Sequence, residues 1–137
     1  MLAIIVTMFV AIEHLGIMAL EIFGNPAQQA KAFDLPLKFT QQHEAQVSFA
    51  NQGIYNGALG AAIIASYWLF SGATLVLVWQ MLLVFVMVVA LFGALTATKK
   101  IILIQFLPAL IAFLLTFLLN IKRKLLCKIL QQFPFLV

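Results

Sequence analysis

The chain has 137 residues, 65% of them hydrophobic and 9% charged, and its mean hydropathy is +1.14. That is more apolar sequence than a soluble core of this size uses, and the runs are long enough to cross a bilayer of roughly 30 Å. The net charge of +4 does not indicate nucleic acid, because the basic residues flank apolar runs: Lys31 and Lys38, Lys99 and Lys100, then Lys122, Arg123, Lys124 and Lys128. The single cysteine, Cys127, excludes an intramolecular disulfide and a two-thiol redox cycle. It reads as a plain juxtamembrane thiol rather than a palmitoylation site.

Span one is expected over about 2–23. It has no Lys or Arg before it and is interrupted by Glu13 and His14, so it reads as a retained span rather than a cleaved signal peptide. Gly24-Asn25-Pro26 stops it. A polar interfacial loop follows from Asn25 to about Phe39, where Lys31, Asp34 and Lys38 alternate with apolar side chains. Thr40 is the expected N-cap of the next helix, which carries span two over 49–70. Ser71-Gly72-Ala73-Thr74 makes an uncharged hairpin into span three, 75–95, with Tyr67, Trp68 and Trp79 as an aromatic belt around it. Span four covers 101–120, and Pro108 inside it deprives the Ile104 carbonyl of its helical donor, which predicts a kink. Residues 121–137 form a basic and apolar tail ending in Phe133-Pro134-Phe135, with a short surface helix expected over 122–132.

With four spans, the 24–50 and 96–100 loops share one side and both termini the other. Each side then carries four basic residues, so the positive-inside rule is tied. Small residues recur on three spans: Gly53, Gly57 and Gly60; Ala90, Gly93, Ala94 and Ala97; Ala109, Ala112 and Thr116. Such faces let helices approach closely, and packing within the chain explains them better than dimerisation through Gly53-x-x-x-Gly57.

Polar residues inside these spans are the candidates for chemistry. An unpaired carboxylate at Glu13 costs ~3 kcal/mol or more in hydrocarbon. Glu13 therefore carries a proton, pairs with His14 or another helix's donor, or faces a wet cavity. His14 and Glu21 lie seven residues apart on one stripe, roughly 10 Å along the axis. On span two, Glu44, Ser48, Asn51 and Tyr55 form one helical stripe, and Gln52 and Asn56 the adjoining one. Glu21 with Asn51, Gln52 and Tyr55 is the preferred constellation, with Gln105 on the same side beside the Pro108 kink. Metal is disfavoured because the two His share no ligand spacing. Haem, nucleophilic triads, phosphate loops and dinucleotide fingerprints find no support either, so no cofactor is expected. A cofactor-free acid/base reaction stays open, with Glu13 or Glu21 as proton carrier and Tyr55 or His14 as partner.

Several segments together resemble one family of small bacterial membrane proteins, that of domain of unknown function 1304. They are Ile12-Glu13-His14 with Glu21-Ile22-Phe23, Lys31-Ala32-Phe33-Asp34-Leu35, Asn51 to Gly57, Phe92-Gly93-Ala94-Leu95-Thr96, and Gln105-Phe106-Leu107-Pro108-Ala109. The family's basic loop usually carries glycine where Asp34 stands. The resemblance covers about residues 1–120; the tail has no counterpart in it. It implies four spans with cytoplasmic loops at 24–50 and 96–100. That breaks the topology tie toward external termini, against the argument of the basic tail. It implies no activity.

The expected architecture is thus an all-α, integral membrane four-helix bundle over 1–120 with a polar interfacial loop between helices 1 and 2, located in the bacterial plasma membrane. The expected site gathers Glu13, His14, Glu21, Asn51, Gln52, Tyr55, Asn56 and Gln105. Expected partners are the lipid bilayer and a small amphipathic ligand, with no nucleic acid; the oligomeric state is left open. Three functions remain: binding or transport of that ligand, a membrane enzyme acting on a lipid or isoprenoid, and a structural or partner-binding role. A ligand-sized cavity favours the first two, and a path reaching both faces favours transport.

Overall fold

Residues 2–23 contain one glycine and no proline, and nothing in them interrupts helical hydrogen bonding. In the computed structural model, which describes residues 1–132, they form α1 (Leu2–Phe23). Then follow α2 (Pro26–Phe33), α3 (Leu37–Thr40), α4 (His43–Leu69) and α5 (Gly72–Thr96). A π turn (Ile102–Phe106) leads into α6 (Leu107–Gln132). The regular structure of the described residues is entirely helical. Three helices are long and apolar enough to cross a membrane: Leu2–Phe23, Gly72–Thr96 and Ile102–Ile129. α4 has the length, but its amides and glycines keep its hydropathy below theirs.

The loop after α1 is more ordered than its composition suggested. Asn25 accepts from the Gln28 backbone N–H while the Gln28 side chain accepts from the Asn25 N–H, both at 2.9 Å. This reciprocal cap, with Pro26 in the first turn, starts α2. Asp34 ends it in the left-handed region at φ 56. That conformation suits glycine, and aspartate tolerates it better than most other residues.

Thr40, the expected N-cap of the second long helix, is instead the last residue of α3, and α4 starts at His43. The Thr40 hydroxyl lies 2.8 Å from the Pro26 carbonyl and 3.0 Å from that of Leu37, folding α3 back onto the start of α2. Gln29 is fully buried and donates to the Glu21 carbonyl at 3.1 Å, satisfying an end of α1 that has no helical partner. Gln46 donates to the Gln29 side chain and, at 2.6 Å, to the Thr40 carbonyl. One buried amide thus ties α1, α2 and α4 together.

α1 packs along α4 through the glycine face. A methyl group at Gly57 would collide with the Met18 thioether, one at Gly60 would stand 2.7 Å from the Ala11 carbonyl oxygen, and one at Gly53 would stand 2.7 Å from Ile22. The other flank of α1 meets α6, which packs on α5. There Ala109, Ala112 and Thr116 are buried. α4 and α5 touch mainly near their shared hairpin, where Gly72 takes φ +63. Trp79 does not sit in an interfacial belt. It is 2% exposed, donates to Ser66 Oγ at 2.8 Å and to the Ile63 carbonyl at 3.2 Å, and stacks on Tyr67. A buried indole needs a partner for its N–H, and the end of α4 supplies two. Around it Val10, Ala11, Ile63, Leu83, Val86, Ala109 and Ala112 form the core.

Where Pro108 predicts a kink, the chain forms the π turn. The Leu107 N–H reaches back five residues to the Ile102 carbonyl, and the widened turn accommodates the donor that Pro108 lacks. The tail is not a separate surface helix: α6 continues without a break to Gln132, because nothing between Asn120 and Lys124 stops it. The Phe133-Pro134-Phe135 end lies outside the described residues.

Candidate functional site

The glycine face also fixes how α4 is rotated. With Gly53, Gly57 and Gly60 against α1, Asn56 flanks the contact on one side. Asn51 lies two residues before Gly53, roughly 200° around the helix, and turns away. Asn56 Nδ2 donates to Glu21 Oε2 at 2.8 Å. Glu21 is 1% exposed, and its Oε1 has no partner. The amide that meets Glu21 is therefore Asn56 and not Asn51, which is exposed.

Glu21 and Asn56 lie in the wall of a cavity of about 740 Å³. α1 contributes Glu13, His14, Gly16, Ile17, Leu20 and Glu21. Phe33 and Leu35 close the α2 end, where Phe33 stacks on Phe49 with ring centroids 5.5 Å apart. α4 adds Gln52, Tyr55, Asn56 and Leu59; α5 adds Phe85, Val86, Val89 and Gly93; the π turn adds Ile104 and Gln105. Of the expected site residues, Glu13, His14, Glu21, Gln52, Tyr55, Asn56 and Gln105 line the cavity, and Asn51 does not. Tyr55 is 69% exposed and stands at the rim between α4 and α5. Ser48 bonds back to the Glu44 carbonyl, and that stripe faces outward.

Glu13 and His14 do not pair. His14 is buried with Nδ1 2.8 Å from the Val10 carbonyl. A carbonyl only accepts, so Nδ1 carries hydrogen and Nε2 is the ring nitrogen left for other partners. Both Glu13 oxygens are buried without a hydrogen bond. The lining of the cavity stops near Glu13, Leu59 and Phe85, and beyond them lies the packed core around Trp79.

The loop end has a latch that the sequence did not suggest. Asp34 pairs with Lys100 Nζ and accepts from the Thr98 hydroxyl at 2.6 Å. It joins the ends of α2 and α5, so the two loops lie at one end of the molecule. Its hydrogen bonds to Lys100 and then to Thr98 hold the Asp34 carboxyl below its ordinary pKa. Lys100 and Thr98 also border the cavity. Among the described residues, no three His, Cys, Asp or Glu side chains gather as a metal site.

The family model described as "Protein of unknown function (DUF1304)" matches residues 8–117, which include every cavity residue named above. Over 105 residues the chain is 40% identical to the uncharacterized protein YpaA of Lactococcus lactis subsp. lactis (strain IL1403), covering 76% of this chain and 87% of that protein. No solved structure matches. The chain belongs to the DUF1304 family.

Proposed function

We propose that this is an integral membrane protein whose four long helices form one spanning bundle, and that it binds a small amphipathic molecule in the cavity. α1, α5 and α6 are apolar enough to span by themselves. α4 joins them in this reading because its Gln52 and Asn56 line the cavity, while Ile54, Trp68 and Leu69 are exposed on its outside. Phe9, Ile12, Met81, Val88, Phe92 and Leu118 continue that exposed apolar surface around the other helices, as lipid contact requires. In this reading residues 1–120 are the membrane domain and 121–137 an appendage. The latched loops face the cytoplasm of a bacterial cell, with both termini outside.

One observation carries the binding reading: a fully buried carboxylate with one oxygen bonded and one unpartnered, set in the wall of a ligand-sized cavity. Such a group is costly to maintain unless something completes it. The packed core at the far end supports entry from the loop end or sideways past Tyr55 rather than a path through the protein. Acid/base catalysis is the second reading, favoured by Glu13, His14 and Tyr55 sharing the same wall.

The test is mass spectrometry of small molecules retained by protein purified from its native membrane. Wild type is expected to retain a molecule that Glu21→Gln and Asn56→Ala release while keeping helical content. Equal retention by all three proteins, or none by wild type, rejects the site.

A further inference from the structure

The acceptors in the cavity are arranged in a way that narrows the ligand. Three carboxyl oxygens on residues of the cavity wall, both of Glu13 and Oε1 of Glu21, are buried and unpartnered; the other orphan is a donor, Gln80 Nε2, on a residue outside the lining. The two residues are eight apart on α1, which separates them by roughly 12 Å along the axis. Between them α1 presents Ile17 and Leu20 to the cavity, and α5 presents Phe85, Val86 and Val89. The wall thus reads acid, apolar, acid. The protein's own donors do not fill it. Lys100 is the sole cationic side chain on the lining, and its ammonium is engaged by Asp34 at the loop end. The Asn56 amide already serves the other oxygen of Glu21.

Resting on the binding reading above, we propose that the ligand is an organic diamine with an apolar midsection, one ammonium on Glu21 and the other on Glu13. Each ammonium offers several N–H donors to oxygens that have none, and charge-assisted bonds of this kind are the strong ones. The aliphatic middle lies against Ile17, Leu20 and Val89, where a more polar spacer would be desolvated without return. Asn56 holds Glu21 in place, so the Glu21 end is the fixed anchor. Glu13, with no protein partner, sets the length that fits.

The test uses the full chain in lipid nanodiscs and a series of linear terminal diamines from diaminobutane to diaminodecane. Octylamine and octanediol serve as matched controls, and binding is read by calorimetry and thermal stabilisation. Affinity is expected to pass through a maximum along the series, with the best diamine about tenfold or more tighter than octylamine. Glu13→Gln should bring that diamine down to the octylamine level; Glu21→Gln should weaken both. Octanediol binding as well as the diamine, or affinity rising with length without a maximum, overturns the proposal and leaves a cavity that binds by apolar contact. If no amine binds while the purified protein still retains another molecule, the diamine assignment falls and the binding reading stands. If nothing binds and nothing is retained, both fall.

Discussion

Gly60→Ala isolates the contact between α1 and α4. The added Cβ would stand 2.7 Å from the Ala11 carbonyl oxygen and 3.1 Å from Leu15 Cγ, where ordinary contact begins at 3.4 Å. The nearer atom is backbone of buried Ala11 in the middle of α1, so relief requires α1 itself to shift. Overpacking of this kind costs ~1–3 kcal/mol, against ~1 kcal/mol gained from the better helix propensity of alanine, leaving a net loss of ~0–2 kcal/mol. Two internal controls sharpen the test. At Gly57 the obstacle is the Met18 thioether, which can swing aside, so Gly57→Ala should cost less. At Gly16 nothing lies within 4 Å, so Gly16→Ala should be neutral or stabilising. Reversible unfolding in mixed micelles, followed by circular dichroism, should rank stability as Gly16→Ala, then Gly57→Ala, then Gly60→Ala. A Gly60→Ala protein as stable as Gly16→Ala, which gains the same propensity without the collision, would show that α1 and α4 do not meet at this distance.

Three further outcomes can be checked with the same preparations. Trp79→Phe keeps an aromatic side chain but removes the donor to Ser66 and Ile63 and some packing volume, and should lower stability by at least ~0.6–1.7 kcal/mol in the same unfolding assay; no change would mean that the indole N–H is not a clamp. Asn56→Ala leaves both Glu21 oxygens without a protein donor and should cost ~1–3 kcal/mol, whereas Asn51→Ala, on the exposed side, should be near neutral. The Asp34 latch favours the carboxylate, so its contribution is complete above the unfolded-state pKa and fades as pH falls through the lower folded-state value. Hydrogen exchange in 30–36 and 97–101 should therefore accelerate in acid relative to the chemical rate. Asp34→Asn should exchange fast at neutral pH and lose that pH dependence.

The long helices, the hairpin and the small-residue faces were legible because each follows from a local property: run length, turn chemistry or side-chain size. Most cavity residues were legible too, since polar side chains within apolar runs stand out. The rotation of α4 was not. Asn51 and Asn56 are equivalent by composition, and only the fit of Gly57 and Gly60 against Met18 and Ala11 decides which one meets Glu21. That fit depends on a partner helix more than thirty positions away in the chain. The Asp34–Lys100 latch escaped for the same reason, because its partners are distant in sequence; Gln29 escaped because its bond to the Glu21 carbonyl depends on how α2 folds back on α1. α2 did carry a local signal in Asn25-Pro26-Ala27-Gln28, a capping sequence outweighed by the mixed polarity that follows. The aromatic belt failed at Trp79, where position beside a hairpin does not distinguish an indole facing outward from one bonded to Ser66.

The unbroken run of α6 has a consequence for measurement. Cys127 is exposed on it, twenty residues beyond Leu107, which places it about 30 Å along a rigid arm from the π turn. A change of ~10° in the bend at that turn would swing a label on Cys127 by about 5 Å, a readily measured distance. The chain's one thiol thus serves as the tip of a pointer, reporting with no engineered cysteine on any adjustment of the turn that carries Gln105 when the cavity fills.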